Sequence, residues 1–100
     1  MIFYYKNQFR DSDKIEFNQN LFNGIGIFET IKFTNNKILF FEEHMVRLFS
    51  NNFFDFTKIK KEKIYDDAIK VINQNAMTEG LIKIIITPIS NDWSNLEYYI

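Results

Sequence analysis

The stretch Ile27-Phe28-Glu29-Thr30-Ile31-Lys32-Phe33-Thr34-Asn35-Asn36-Lys37-Ile38-Leu39-Phe40-Phe41-Glu42-Glu43-His44-Met45-Val46-Arg47-Leu48 changes its period partway along. From Ile27 to Phe33 the period is close to two. Ile27, Glu29, Ile31 and Phe33 fall on one face, and Phe28, Thr30 and Lys32 on the other. That alternation is the mark of a half-buried strand. Asn35-Asn36 interrupts it. Asn tolerates positive φ, so the pair predicts a tight hairpin returning through Ile38-Leu39-Phe40-Phe41. After Phe41 the period becomes helical, with Met45, Leu48, Phe49 and Phe53 at that spacing. Glu42 and Glu43 put negative charge in the first turn, where the helix dipole favours it.

Outward from this centre the same reasoning assigns the rest of the chain. Ile2-Phe3-Tyr4-Tyr5 reads as a strand, Lys6-Asn7-Gln8 as a turn and Phe9-Arg10 as the returning strand. Asp11 to Asn20 is polar, with Ile15 and Phe17 alternating as a brief strand would. A second helix is expected from about Lys61 to Ala76, its stripe built from Ile64, Ala68, Val71 and from Tyr65, Ile69, Ile72. Leu81 to Thr87, bounded by Gly80 and Pro88, is a nearly continuous apolar strand, for which cover on both faces is expected. The tail Ser90 to Ile100 shows no clear period. The order of elements predicts a single α+β domain over residues 1–100, a mainly antiparallel sheet with two helices on one side.

The chain has 100 residues, 46% hydrophobic and 25% charged, which is the composition of a globular domain and not of a disordered one. Ile, Asn, Phe and Lys make up half of it. All four have A/T-rich codons, so the twelve Phe are read as core filling and not as a binding surface. Net charge is -1, which disfavours a nucleic-acid partner. There is no Cys, no apolar run long enough to span a bilayer and no evident secretory signal, so a cytoplasmic protein is expected. One His and no Cys leave little room for a metal site. Glu42-Glu43 and Asp66-Asp67 are adjacent on helices and so point in different directions, as solvated faces do. Gly24-Ile25-Gly26 precedes a strand, which is the wrong context for a dinucleotide loop.

The order of motifs adds a resemblance. Asn23-Gly24-Ile25-Gly26-Ile27-Phe28-Glu29-Thr30-Ile31-Lys32, then Asn36-Lys37-Ile38, then Glu43-His44-Met45-Val46-Arg47-Leu48, and finally Glu79-Gly80-Leu81-Ile82-Lys83-Ile84-Ile85-Ile86-Thr87, resemble the N-terminal domain of the class IV aminotransferases. These are the fold-type IV pyridoxal-phosphate enzymes: branched-chain aminotransferase, D-amino-acid aminotransferase and aminodeoxychorismate lyase. The resemblance spans nearly the whole chain. It implies pyridoxal phosphate as cofactor, an amino acid or aminodeoxychorismate as substrate, and a homodimer. It implies that Arg47 binds the cofactor phosphate, for which a guanidinium fork is suited. The other expectation for Arg47 is a surface salt bridge with Glu43 or Asp55. His44 shares a helix face with Arg47 and is read as structural, orienting the loop.

By the same resemblance Phe28 projects toward the substrate, against the alternative of core packing. Lys83 stands where branched-chain aminotransferases tend to carry Arg and aminodeoxychorismate lyases Lys. It is therefore read as substrate-binding, against a strand Lys simply facing solvent. This and Phe28-Glu29-Thr30 lean toward the lyase, which forms 4-aminobenzoate and pyruvate in folate synthesis. A branched-chain or D-amino-acid aminotransferase is the alternative, and a truncated noncatalytic domain the third reading. The family's cofactor-anchoring lysine belongs to a C-terminal domain, and none of the ten Lys here lies in its motif. No catalytic residue is therefore expected in this chain. The chain also departs from the family pattern: Asn23 and Ile25 replace the usual aromatic and acid around the first Gly, Gln19-Asn20 stands where Asp-Arg is usual, and Pro88-Ile89 replaces Arg-Gly.

Overall fold

The computed structural model describes residues 2–5, 8–11, 18–50, 54–89 and 93–100. Its elements are β1 (Ile2–Tyr5), β2 (Gln8–Asp11), α1 (Gln19–Phe22), β3 (Ile27–Thr34), β4 (Lys37–Ile38), α2 (Phe41–Leu48), α3 (Lys61–Gln74), β5 (Glu79–Pro88) and β6 (Leu96–Tyr99). Four strands form one antiparallel sheet in the order β4-β3-β5-β6, and β1 pairs with β2 in a second. The two sheets are joined edge to edge. Tyr4 and Ile100 exchange both backbone hydrogen bonds, at 3.1 and 3.0 Å. Above and below that seam Tyr4 stacks on Tyr98 and Tyr5 on Tyr99, with ring centroids 5.0 and 5.3 Å apart.

The alternation in β3 and β5 decides which face is covered. Their register pairs Ile31 with Ile82 and Glu29 with Ile84. Ile31, Phe33, Ile82, Ile84 and Ile86 are buried together with Met45 and Leu48 of α2 and Ile64, Ala68, Val71 and Ile72 of α3. Each such aliphatic side chain contributes about 1.5–3 kcal/mol by leaving water. The opposite face is open: Phe28, Thr30, Lys32, Leu81 and Lys83 are exposed, Leu81 at 69%. The expected two-sided cover of Leu81 to Thr87 is therefore found only toward the end of the run, where Ile85 is half-buried and Thr87 buried, and not at Leu81 and Lys83. The helices whose side chains build the core pack on one face of this antiparallel sheet, and Lys83 within the run reports its solvent side.

Elsewhere the backbone corrects the expectation in detail. The Asn35-Asn36 hairpin forms as expected, both residues at positive φ. The returning strand stops at Ile38, because Phe40 adopts a left-handed conformation (φ 56, ψ 37) and turns the chain directly into α2. α1 is unforeseen. Asn18 caps it, its Oδ1 accepting from Leu21 N at 2.8 Å. The tail is not irregular, since Leu96–Tyr99 completes the sheet as β6. The expected strand at Ile15 and Phe17, and Phe53 of the first helical stripe, lie outside the described residues.

A polar knot on the core face holds α3, β1 and β6 together. Lys63 Nζ donates to Asp67 Oδ2 at 2.6 Å, Tyr4 Oη at 2.7 Å and Tyr98 Oη at 3.1 Å. Tyr98 Oη in turn donates to the buried Asp67 carboxylate. Burial, and then the bond to Asp67, push the Tyr98 hydroxyl far above its usual range.

Candidate functional site

Period two places Phe28 and Glu29 on opposite faces of β3, and helical spacing places His44 and Arg47 one turn apart on α2. Packing of α2 over β3 then closes a cluster that neither segment contains alone. Glu29 Oε1 accepts from His44 Nδ1 at 2.7 Å, from Arg47 Nε at 2.8 Å and from Arg47 Nη2 at 2.6 Å. Burial raises the Glu29 pKa, but the hydrogen bonds and charges of Arg47 and His44 outweigh it and hold the carboxyl below its usual value. Since that carboxylate only accepts, His44 Nδ1 must carry the proton of their bond. The 3.2 Å approach of Arg47 Nη2 to His44 Nδ1 is then two donors crowding one acceptor.

Arg47 is thus paired with neither Glu43 nor Asp55, the partners expected for a surface salt bridge, but with an acid on the neighbouring strand. Its own side chain stays 69% exposed, while that of Glu29 is 13% exposed. Arg47, in the last turn of α2, also has its charge where the helix dipole favours it. His44 takes the structural place read from its spacing: a ring bonded to the strand below it.

Arg47, Glu29 and Phe28 line one cleft of about 390 Å³ together with Gly26, Ile27, Leu48 and Ser50. Its floor is set by the glycine turn. Gly24 has φ +81, and Thr87 Oγ1 donates to Ile25 O at 2.7 Å, tying the turn to β5. A Cβ on Gly26 would come to 3.0 Å from Leu21 Cδ1 and 3.2 Å from Ile86 O, so a side chain there would press on both and glycine lets the chain pass without that strain. Phe28 is not a core residue; it is 57% exposed. Lys83 does not line the cleft. It lies on the open face with its ammonium 4.3 Å from the centre of the Phe28 ring, a cation–π contact. The structure therefore brings Arg47 and Phe28 to one cleft and Lys83 to its outer wall. Glu29 was not anticipated as a site residue. The signal was an acid within the otherwise apolar stripe Ile27, Ile31, Phe33.

No family model matches the chain, and no curated protein matches it. Solved structures do. The Escherichia coli branched-chain amino acid aminotransferase superposes with a TM-score of 0.75 at 16% identity, covering 98% of this chain and 38% of that one. The T.th. branched-chain amino acid aminotransferase, solved with 4-methylvaleric acid, gives a TM-score of 0.78 at 14% identity and the same two coverages. The chain spans 38% of the length of these relatives. At such identities the likeness is one of architecture, and it is specific: the fold of this chain is the α+β fold of the N-terminal part of the class IV aminotransferases.

Proposed function

We propose that this chain is the N-terminal part of a pyridoxal-phosphate-dependent enzyme of the class IV aminotransferase family, with Arg47 holding the cofactor phosphate. The observation that supports this reading is the cleft in which an exposed guanidinium stands beside a glycine turn and an exposed aromatic ring. These residues fit the phosphate end of the cofactor. Arg47 offers charge and planar donors, and Gly26 lets the turn pass close against Leu21 and the Ile86 carbonyl, which seats the cleft beside Arg47. Among the described residues no lysine lines the cleft; in this reading, as the family resemblance implies, the cofactor-anchoring lysine comes from a C-terminal domain. When bound, pyridoxal phosphate serves as the electron sink for bonds at the substrate's amino-bearing carbon.

The chain's own part is binding and exclusion of water. Arg47 binds, Glu29 holds Arg47, His44 tethers Glu29, and the Phe28 ring covers the substrate side of the cleft. Lys83, seated on that ring, presents a positive charge to a substrate carboxylate. Within the family we favour aminodeoxychorismate lyase, on Lys83 and Phe28-Glu29-Thr30. Transamination of a branched-chain amino acid is the second reading, favoured by the names of the structural neighbours. We expect the complete enzyme to be a cytoplasmic homodimer.

The test on this chain uses pyridoxine 5′-phosphate, which lacks the aldehyde and so forms no adducts with surface lysines. Backbone amide shifts are expected at Gly26, Phe28 and Ser50 with this ligand, absent with pyridoxine and lost in Arg47→Ala. Shifts that survive Arg47→Ala, or that do not need the phosphate, overturn the assignment. On the complete protein, release of pyruvate from aminodeoxychorismate separates the lyase from amino transfer to a 2-oxo acid.

A further inference from the structure

We infer that Glu29 is a positioning residue, which sets the Arg47 guanidinium with one edge held and the other presented to a tetrahedral oxyanion. The inference rests on the reading of Arg47 as the phosphate anchor and says how the anchor works. A guanidinium carries five N–H groups in a fixed plane. Glu29 Oε1 takes the Nε–H and one Nη2–H, which together form the side edge of that plane. The end edge, made by Nη1 and the second Nη2–H, has no partner among the described residues. That free pair has the spacing for two parallel bonds to phosphate oxygens.

The asymmetry of burial shows which partner orders the other. In an ordinary surface ion pair both side chains are solvated and neither is fixed. Here Glu29 stands on the core face of β3 between Ile27 and Ile31, its side chain 13% exposed. An acid at such a place is costly unless it is bonded. His44 Nδ1 donates to the same oxygen, so the carboxylate keeps a second tether from α2. Arg47, 69% exposed and on a long flexible stem, is the member with freedom to lose. Glu29 therefore acts as the template and Arg47 as the part held.

Two effects of Glu29 on anion affinity oppose each other, and this makes the proposal testable. Its negative charge weakens the field felt by a phosphate. Its hold on Arg47 removes ordering that binding would otherwise require, about 0.5–1.5 kcal/mol for such a side chain. If Glu29 only competes for Arg47, its neutralisation tightens phosphate binding. If its hold on Arg47 outweighs that repulsion, the same change weakens binding, by at most roughly tenfold.

The experiment is a titration of the chain with inorganic phosphate, read on the Arg47 Nε–H resonance. In the wild type that resonance is expected to be ordered and to shift with phosphate. In Glu29→Gln it is expected to become mobile on the nanosecond timescale, with phosphate affinity reduced as above. Should that variant not fold, His44→Ala serves, removing one tether from a half-buried site; weaker phosphate binding is again expected. Equal or tighter binding in the folded variant overturns the positioning role while leaving Arg47 as an anchor. Absence of any phosphate-dependent shift at Arg47 in the wild type overturns the anchor itself, before a variant is made.

Discussion

Replacing Tyr98 by Phe removes one oxygen from the knot that joins α3, β1 and β6. The ring is 8% exposed and stacks on Tyr4, and that stack survives the change. What is lost is a hydroxyl that donates to the Asp67 carboxylate and accepts from Lys63 Nζ. Asp67 keeps Lys63 at 2.6 Å and is not left alone. A hydrogen bond to a charged group is worth about 1.5–3 kcal/mol, so a loss of about 2 kcal/mol is expected. For a domain of this size that lowers the melting temperature by roughly 10 °C. Urea and thermal unfolding followed by circular dichroism measure it. The pH dependence gives a second check. Because burial and Asp67 raise the folded pKa, Tyr98 keeps its proton in the folded chain while the unfolded tyrosine ionises near pH 10. The wild type is therefore fully stabilised by this hydroxyl below about pH 10 and loses that advantage as pH rises further. The gap between wild type and Tyr98→Phe should be constant up to about pH 9.5 and narrow above about pH 10. A difference below about 0.5 kcal/mol, the range of inert surface changes, or one that does not vary with pH, refutes the role given to the knot.

Phe40→Asn should stabilise the chain by about 1 kcal/mol in denaturant unfolding, since Phe40 is 72% exposed and left-handed, a conformation that costs Phe more than Asn. Gly26→Ala should cost about 1–3 kcal/mol, because its Cβ meets Leu21 and the Ile86 carbonyl, and amide shifts should spread into α1. Acid unfolding carries a term from Glu29. Its folded pKa lies below the usual 4.5, so its contribution is complete above that pH and is lost as pH falls through the lower folded value. Glu29→Gln should flatten that part of the stability profile, read by urea midpoints between about pH 5 and pH 2.

Where a residue's neighbours in space are also its neighbours in sequence, the chain declares its structure. The alternation of β3, the Asn35-Asn36 turn and the stripes of α2 and α3 are of this kind. Leu96–Tyr99 is not. Four residues are too few to show a period, and both tyrosines are buried, on opposite faces, because each finds a ring on β1. α1 is equally short, and its cap, Asn18, is bonded to Pro88 and Glu97 some seventy positions on or more. The site divides likewise. Arg47 and His44 were visible as a helical pair, and Phe28 and Lys83 through the resemblance. Glu29 looked like one acid on a strand until α2 brought its two donors from 15 and 18 residues away.

The seam between Tyr4 and Ile100 has a consequence for synthesis. Ribosomes deliver the amino end first, yet β1 finds its edge only on β6, 94 positions later for the stacked pair Tyr4 and Tyr98. Until the last strand emerges, Tyr4 and Tyr5 lack their stacking partners and Lys63 lacks one of its three acceptors. Such long-range closure is slow and leaves apolar surface uncovered meanwhile. In a nascent chain of this sequence the seam between β1 and β6 forms only after Tyr98, Tyr99 and Ile100 have emerged.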